Sequence, residues 1–169
     1  ENAAEIVYLE GGTSGQAVSC LAGLDKVAPD RPLTIGACDN GVLYQSEAFE
    51  GLMDDPDTDV IIWGFRGYPG AIRSPEAYGW IETDETGSVK FVSVKEPLSA
   101  PATDAIVIGV FTFKRADDFR KAATRMIERD GKVNGEFYVD TCINDAVALG
   151  LSVKVLECSA YLCWGTPDD

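Results

Sequence analysis

The sequence predicts an α/β domain with a mainly parallel sheet, crossover helices and one inserted antiparallel hairpin. Short apolar runs alternate with helical segments of about ten or more residues, which is typical of a parallel sheet connected by helices. Residues 78–94 differ, because polar and apolar side chains alternate there on both sides of a Gly-containing turn, as in a hairpin. With 169 residues, 46% of them apolar, the chain is long enough for one domain spanning residues 1–169.

The predicted strands are short and strongly apolar. They lie at residues 5–10, 32–38, 59–65, 105–113, 152–158 and 160–164. The runs at 32–38 and 59–65 are almost continuously apolar, which indicates central strands that are buried on both faces.

The predicted helices lie at residues 14–27, 46–55, 116–131 and 137–150. Segment 116–131 has an acidic first turn, a basic last turn and a glycine at its end, which are the usual signals of helix termini. Residues 66–77 form the longest segment without predicted structure, and long loops in compact α/β domains often cover sites. The acidic run at 54–59 fits a turn, since Asp and Pro both favour turns.

The composition excludes several classes of protein. The net charge of −14 would repel a phosphate backbone, so we expect no nucleic-acid partner. The absence of histidine removes Ser-His-Asp and Cys-His chemistry and the usual zinc ligands. No apolar run approaches ~18 residues, so we expect no membrane span. The five cysteines form no C-x-x-C pair, which favours a reduced, cytoplasmic protein.

The stretch "PLTIGACDNGVLY", residues 32–44, allows two interpretations. Asn40-Gly41 is a strong signal for a type I′ turn, which would make this stretch a hairpin. Alternatively, Asp39 ends a buried central strand, at the sheet edge where ligands of open α/β sheets gather. A carboxylate there could hold Mg²⁺, which prefers oxygen ligands. The second interpretation is favoured, because the following residues are predicted to turn into a helix rather than to return as a strand.

Six segments in order carry a resemblance to a known family. They read "GGTSGQA" with "PLTIGACDNGV", then "AYGWIETDETGSVKFVSVKEP", "IVIGVFTF", "NGEFYVDTCINDAVALG" and "CWGTPDD". From about Tyr8 to Asp169 the chain resembles the sugar-phosphate nucleotidyltransferases, or nucleotide-sugar pyrophosphorylases. These enzymes join a nucleoside triphosphate to a sugar 1-phosphate and release pyrophosphate. The resemblance implies a Rossmann-like, GT-A-type α/β fold, NTP and sugar 1-phosphate as substrates, and Mg²⁺ as cofactor.

The resemblance also assigns residues to the nucleotide and the metal. Gly12, Thr13, Gly15 and Gln16 match the segment that contacts the nucleobase. A glutamine amide can donate and accept hydrogen bonds together, which suits the edge of a base. Asp39 matches the metal-binding aspartate of the family.

The sugar phosphate is assigned to residues farther along the chain. Gly79, Glu96, Gly109 and Glu136 match sugar-binding positions, and Asp140 follows in the same element as a residue that either binds or braces. Lys95 and Glu96 match a pair of which one holds sugar hydroxyls and the other holds the phosphate. Lys95 and Arg66 are the candidate catalytic cations, because the reaction brings two polyanions together. Arg73 and Lys132 are further candidates.

Two departures from the family pattern at candidate site residues limit what the resemblance implies. The order Lys95-Glu96 is the reverse of the commoner Glu-Lys. Cys163 stands where many members have a second metal-binding aspartate, and a thiol is a poor Mg²⁺ ligand. Asp168 is the candidate replacement, with Asp140 or Asp39 alone as alternatives, although Asp168 also suits a helix N-terminus.

The family's Gly-rich phosphate loop has no counterpart in this sequence, which also lacks an initiating methionine. That loop binds the triphosphate through backbone N–H groups. We therefore expect a chain truncated at its N-terminus and inactive alone.

Two other functions stay open. A non-catalytic nucleotide-sugar-binding or structural module would explain Cys163 and the missing loop. A GT-A-type glycosyltransferase would need a D-x-D pair, and the nearest match, "DPDTD", precedes a strand instead of following one. The sequence does not determine the nucleobase, the sugar or the oligomeric state, and a homo-oligomer stays open. A link to polysaccharide biosynthesis rests only on what is common in the family.

Overall fold

The computed structural model describes residues 4–165. Within them, six strands form one sheet in the order β5-β4-β6-β3-β7, with β1 also paired to β6, and β2 pairs with β8 in a small second sheet. The strands are β1 (Leu33–Gly36), β2 (Asn40–Leu43), β3 (Val60–Arg66), β4 (Gly79–Thr83), β5 (Val89–Val94), β6 (Ala105–Phe113), β7 (Val153–Glu157) and β8 (Ala160–Cys163).

Helices cover both faces of the large sheet. They are α1 (Gln16–Gly23), α2 (Ser46–Asp54), α3 (Pro69–Arg73), α4 (Ala116–Glu128) and α5 (Val139–Ala148). Apolar residues of α1, α4 and α5 pack into the larger core cluster on one face. Residues of α2 and α3 pack into a second cluster around Trp63 and Trp80 on the other face. None of the helices between residues 4 and 165 is long and apolar enough to cross a bilayer.

The predicted α/β class is confirmed. In the large sheet β1, β3, β4 and β7 run in one direction, while β5 and β6 run in the opposite direction. Because β6 lies in the middle, most neighbouring strands pair antiparallel, and β3 with β7 is the parallel pair among the described strands. The predicted hairpin at 78–94 is formed by β4 and β5.

The prediction of a fully buried strand at 32–38 is wrong. Strand β1 alternates between half-buried and exposed residues, and its described pairing is with β6 alone. A continuously apolar run indicates burial only when a second strand and a second layer cover it. In the described residues β1 is an edge strand, so it is less buried than its apolar sequence indicates.

Two other predictions of secondary structure differ from the structure. Residues 5–10 form no strand and their apolar side chains are exposed, Tyr8 by 86%. The segment 66–77, expected to be an unstructured loop, contains helix α3 and a short 3-10 helix at Pro75–Ala77. Pro69 and Pro75 each lie at the start of a helical turn, where the missing N–H of proline costs nothing.

Asn40-Gly41 does not form a hairpin turn. Both residues belong to β2, which pairs with β8 rather than with β1, so Asn40 is opposite Cys163 and Gly41 is opposite Leu162. The chain therefore leaves the large sheet after β1, and Asp39 lies in this departing segment, three residues after the carboxyl end of the strand. The accompanying prediction of a direct turn into a helix missed β2, which precedes α2.

Candidate functional site

A pocket of about 710 Å³ opens where β4 and β1 separate along β6. Strand β4 pairs with Ala105 and Ile106, while β1 pairs with residues 110–113 on the same side of β6. Residues 107–109 lie between these two pairings and form the pocket floor. The cavity is thus a gap in the sheet, and its size is typical of small-molecule sites.

Gly109 shapes the floor of this pocket. Its φ of 72° lies in the left-handed region, and an added Cβ would lie 3.0 Å from the Ala37 side chain and 3.2 Å from the Asn40 amide. The carbonyl of Gly109 accepts a hydrogen bond from Ala37 N, and Asn40 Nδ2 donates to the carbonyl of Ile108 over 2.6 Å. Glycine at 109 therefore lets the end of β1 approach β6 closely.

Asp39 lies at the mouth of the pocket. Its side chain is exposed, and its backbone carbonyl accepts a hydrogen bond from Trp164 N over 2.8 Å. A Cβ on Gly165 would lie 3.0 Å from Asp39 Oδ2, so the chain after β8 passes directly beside the carboxylate. Tertiary structure thus brings together residues that are more than 120 positions apart.

The residues around Asp39 provide few metal ligands. Between residues 4 and 165 no group of three or more His, Cys, Asp or Glu side chains is arranged to hold a metal ion. Cys163 lines the pocket, but a thiol is a poor ligand for Mg²⁺. Asp168, the other expected ligand, lies outside the described residues. The carboxylate of Asp39 suits a hard cation, but substrate oxygens would have to supply most of the coordination.

Lys95 lies at the opposite wall, directly after β5. Its φ of 66° is unusual for a residue with a side chain, and its amide N donates to the carbonyl of Tyr78. Its ammonium donates to the carbonyl of Ala77 and lies 5.6 Å from the centroid of the Tyr138 ring. Such a backbone conformation costs roughly 1–3 kcal/mol and often accompanies functional sites.

Asp140 is recessed in the pocket, in the first turn of α5. A Cβ on Gly79 would lie 2.5 Å from Asp140 Oδ1, so the glycine lets this carboxyl approach the start of β4. The residue as a whole is only half-buried, but its carboxyl is deep enough for the loss of water to raise its pKa to about 6, with Lys95 acting in the opposite direction. The pocket therefore contains a carboxyl group that titrates near neutral pH.

Gln16 enters the pocket from the N-terminus of α1. Phe137 N donates to the carbonyl of Ser14, and Ala17 N donates to the carbonyl of Phe137, so the two segments are hydrogen-bonded side by side. Gly15 has a φ of 133°, and a Cβ there would lie 2.5 Å from Phe137 N. Gly15, which the family resemblance assigned to the nucleobase, therefore also has a packing role.

Other predicted site residues do not line this pocket. Gly12 and Gly15 are absent from its lining, as is Thr13, whose hydroxyl is hydrogen-bonded to Ser19. Arg66 donates to Glu157 and to the carbonyl of Thr103. Glu136 is exposed. Glu96 borders a second pocket instead.

The pocket also contains residues that the sequence did not single out. Tyr138 and Tyr161 both line it, as does Asn40, which had been interpreted as part of a turn. Burial raises the pKa of Tyr161 above its usual range. The signal that could have revealed Tyr161 is its spacing of two from Cys163, which places both side chains on one face of β8. Arg73, one of the further candidate cations, also lines the pocket.

Comparison with solved structures identifies proteins of similar fold. No family model and no curated protein matches this sequence. Among solved structures, a nucleoside-diphosphate-sugar pyrophosphorylase from Vibrio cholerae RC9 is similar, with a TM-score of 0.72 and 20% identity, over 95% of this chain and 64% of that one.

Two further solved structures are similar. The inositol-1-phosphate CTP transferase of T. maritima has a TM-score of 0.64 and 11% identity, over 92% of this chain and 57% of that one. A Bacillus anthracis protein assigned as a glucose-1-phosphate thymidylyltransferase has a TM-score of 0.67 and 15% identity, over 94% and 59%. The chain therefore has the Rossmann-like fold of sugar-phosphate nucleotidyltransferases and spans less than two thirds of the length of these proteins.

Proposed function

We propose that this chain is part of a sugar-1-phosphate nucleotidyltransferase that joins an NTP to a sugar 1-phosphate and releases pyrophosphate. The observation that carries the proposal is the shared pocket of Gln16, Asp39, Gly79, Lys95 and Gly109. These residues come from five separate segments that the family resemblance assigned to nucleotide, metal and sugar. A fold adopted for structural reasons alone would not require them to converge in one cavity.

The proposed reaction needs alignment more than acid or base catalysis. An oxygen of the sugar phosphate attacks the α-phosphorus of the NTP, a new P–O bond forms, and the bond to pyrophosphate breaks. The nucleophile is already an anion, so no histidine is required. The main obstacle is repulsion between two polyanions, which cations and correct positioning relieve.

Lys95 and Asp39 would lower this repulsion from opposite walls. The Lys95 ammonium is bound to the Ala77 carbonyl, two residues before β4, and suits the phosphate of the sugar. Asp39 would hold Mg²⁺ together with phosphate oxygens of the substrates. When bound, the ion would neutralise charge on the phosphates. Gly79 leaves room for the Asp140 carboxyl beside the β4 backbone.

The active protein would need a further segment for the triphosphate. Among the described residues β1 pairs with β6 alone, so its other edge is open to a further strand. We propose that the segment carrying the phosphate loop covers this edge in the complete enzyme. This arrangement would explain why a run as apolar as residues 32–38 lies at an edge here.

The test uses the full-length protein with each NTP, a set of hexose 1-phosphates and Mg²⁺, and measures released pyrophosphate. Asp39→Asn should lower the rate by about two orders of magnitude or more, since charge stabilisation dominates this chemistry. Asp57→Asn makes the same change in an exposed acidic turn and should leave the rate unaltered. An unchanged rate in the Asp39 variant would remove this residue from the mechanism.

A second candidate is a module that binds a nucleotide sugar without turnover. The described residues favour it in one respect, since they contain no cluster of three metal ligands and place Cys163 at the pocket. Nucleotide-sugar binding by the full-length protein without pyrophosphate release from any substrate pair would support this candidate. The glycosyltransferase alternative is less well supported, because Asp55 of the D-x-D match accepts hydrogen bonds from Asp57 N and Thr58 and so stabilises a turn.

A further inference from the structure

The chain has a second pocket of about 680 Å³ on the other side of β5. Its walls come from residues 91–94 of β5, residues 129–133 after α4, and one face of α5. Val94 lines both pockets, so the two cavities lie next to each other at the end of β5. A volume of this size can hold a sugar phosphate or a mononucleotide.

Two arginines of this pocket are paired with a single buried carboxylate. Asp145 is 1% exposed and accepts two hydrogen bonds from Arg129, over 2.7 and 2.6 Å, and one from Arg125 over 3.1 Å. Two guanidinium groups thus share one buried carboxylate, so these three side chains together carry one net positive charge. The side chains of Arg125 and Arg129 are 42% and 43% exposed and line the pocket, so N–H groups remain for a ligand.

Lys132 adds a third cation at the rim. Its ammonium lies 5.0 Å from the centroid of the Phe137 ring and 2.7 Å from Asp130 Oδ1. The acidic groups of the rim, Asp130 and Glu96, are exposed and can turn towards water. The lining thus contains three cations and three carboxylates, of which Asp145 is buried against the two arginines and Asp130 and Glu96 are exposed.

A buried hydroxyl in the wall is an independent observation. Thr141 is 5% exposed and lines the pocket, and its Oγ1 has no hydrogen-bond partner among the described residues. A buried hydroxyl without a partner costs free energy, and such groups are rare unless a ligand or water satisfies them. Phe91 of β5 lines the same pocket, is 46% exposed and offers an apolar surface.

We propose that this second pocket binds a small phosphate monoester. The guanidinium groups of Arg125 and Arg129, with Lys132, would bind the phosphate, because guanidinium N–H pairs match phosphate oxygens. Phe91 would contact the carbon skeleton, and the Thr141 hydroxyl would gain a partner. The site is distinct from the proposed catalytic pocket, so either proposal can fail without the other.

The test is an NMR titration of the isotope-labelled full-length protein, without Mg²⁺, with glucose 1-phosphate, inorganic phosphate and glucose as probes. The backbone amides of Gly131 and Thr141 report on the second pocket, and those of Gly79 and Gly109 report on the first. We expect glucose 1-phosphate to shift the Gly131 and Thr141 signals saturably, inorganic phosphate to bind more weakly, and glucose to have no effect on them.

Arg125→Gln should weaken this binding about tenfold or more, the loss expected for a charge-assisted hydrogen bond. Arg129 still holds Asp145 in the Arg125 variant. If the spectrum of that variant nevertheless loses dispersion, Lys132→Gln removes another cation of the pocket without changing a partner of the buried carboxylate. Lys121→Gln removes a charge from α4 outside the pocket and should leave the binding at Gly131 and Thr141 unchanged.

Two results would overturn the proposal. One is the absence of a saturable shift at Gly131 and Thr141 with either phosphate probe, including the case in which signals move only at Gly79 and Gly109. The other is a shift at Gly131 whose affinity is the same in the Arg125, Lys132 and Lys121 variants.

Discussion

Asp140 and its neighbours show how much of the candidate site is decided by the surroundings of single residues. In the sequence Asp140 follows the "GEF" element, and the family resemblance leaves open whether it binds or braces. In the fold its carboxyl lies against Gly79, across from Lys95, where the loss of water raises its pKa to about 6. The charge of this residue near neutral pH is therefore a property of the pocket.

The raised pKa predicts a pH-dependent gain in stability for Asp140→Asn. In the unfolded chain the carboxyl ionises near pH ~4, but in the folded protein it keeps its proton until about pH 6. Folding stability is therefore lost as the pH rises through this window, by about 1–3 kcal/mol. The variant should be more stable than the native chain at pH 7, with the difference vanishing below pH ~4, as measured by urea unfolding from pH 3.5 to 7.5.

A stability difference that stays constant over this pH range would contradict the raised pKa. Asp117→Asn is a suitable control, because hydrogen bonding to Lys121 lowers the pKa of that exposed carboxyl. Its replacement should not produce a gain in stability that grows between pH 4 and 6.

At the scale of elements, helices α4 and α5 are joined through one buried carboxylate. Asp145 of α5 is held by Arg129, directly after α4, in a two-point hydrogen bond, and by Arg125. On its other side α5 is bound to β5, because the Asn144 side chain accepts from Val92 N and donates to the carbonyl of Val92. These contacts fix the two walls of the second pocket and, through α5, the position of Asp140.

Removing Arg129 should destabilise the whole domain. Arg129→Gln leaves the carboxylate of Asp145 buried with Arg125 alone, and breaking a buried pair costs about 3 kcal/mol. Lys121→Gln breaks the exposed pair with Asp117 on the same helix and should cost less than about 1 kcal/mol. Urea unfolding at pH 7 measures both, and equal effects of the two substitutions would mean that Asp145 is not an important contact between the helices.

For the molecule as a whole, the excess of negative charge is the dominant electrostatic feature. With 28 acidic and 14 basic residues, the folded chain keeps like charges close together and is destabilised by their repulsion. Polyanionic substrates would meet the same repulsion, and this makes Lys95, Arg73 and a divalent cation more important to the proposed function.

Salt should therefore stabilise this protein. Raising the KCl concentration from 10 mM to 300 mM shortens the screening length from about 30 Å to less than 10 Å, so repulsion between distant carboxylates weakens. We expect the melting temperature to rise by a few degrees, measured by circular dichroism at constant pH. A fall in the melting temperature would show that the surface ion pairs outweigh the overall repulsion.

Much of the fold could be predicted from local patterns. Strand β6 has the predicted bounds, the hairpin at 78–94 is present, and α1, α2, α4 and α5 lie within the predicted segments. These elements have clear local signals, such as the alternation in the hairpin and the charged ends of α4. The edge position of β1 could not be predicted in this way, because a strand's own residues do not show how many neighbours it has.

By itself the sequence determined the α/β class, the order of most elements and the group of segments that the family resemblance assigns to one site. Only the tertiary structure decided that β6 pairs with β3 on one side and with β4 and β1, one after the other, on the other side. The gap between β4 and β1 opens the pocket at residues 107–109. It also decided that Asn40 and Gly41 belong to a strand beside β8 and that Asp140 shares a cavity with Lys95. The physical reason is that periodicity and turn signals act over a few residues, whereas strand neighbours, gaps in a sheet and the dielectric surroundings of a carboxyl depend on contacts between distant segments.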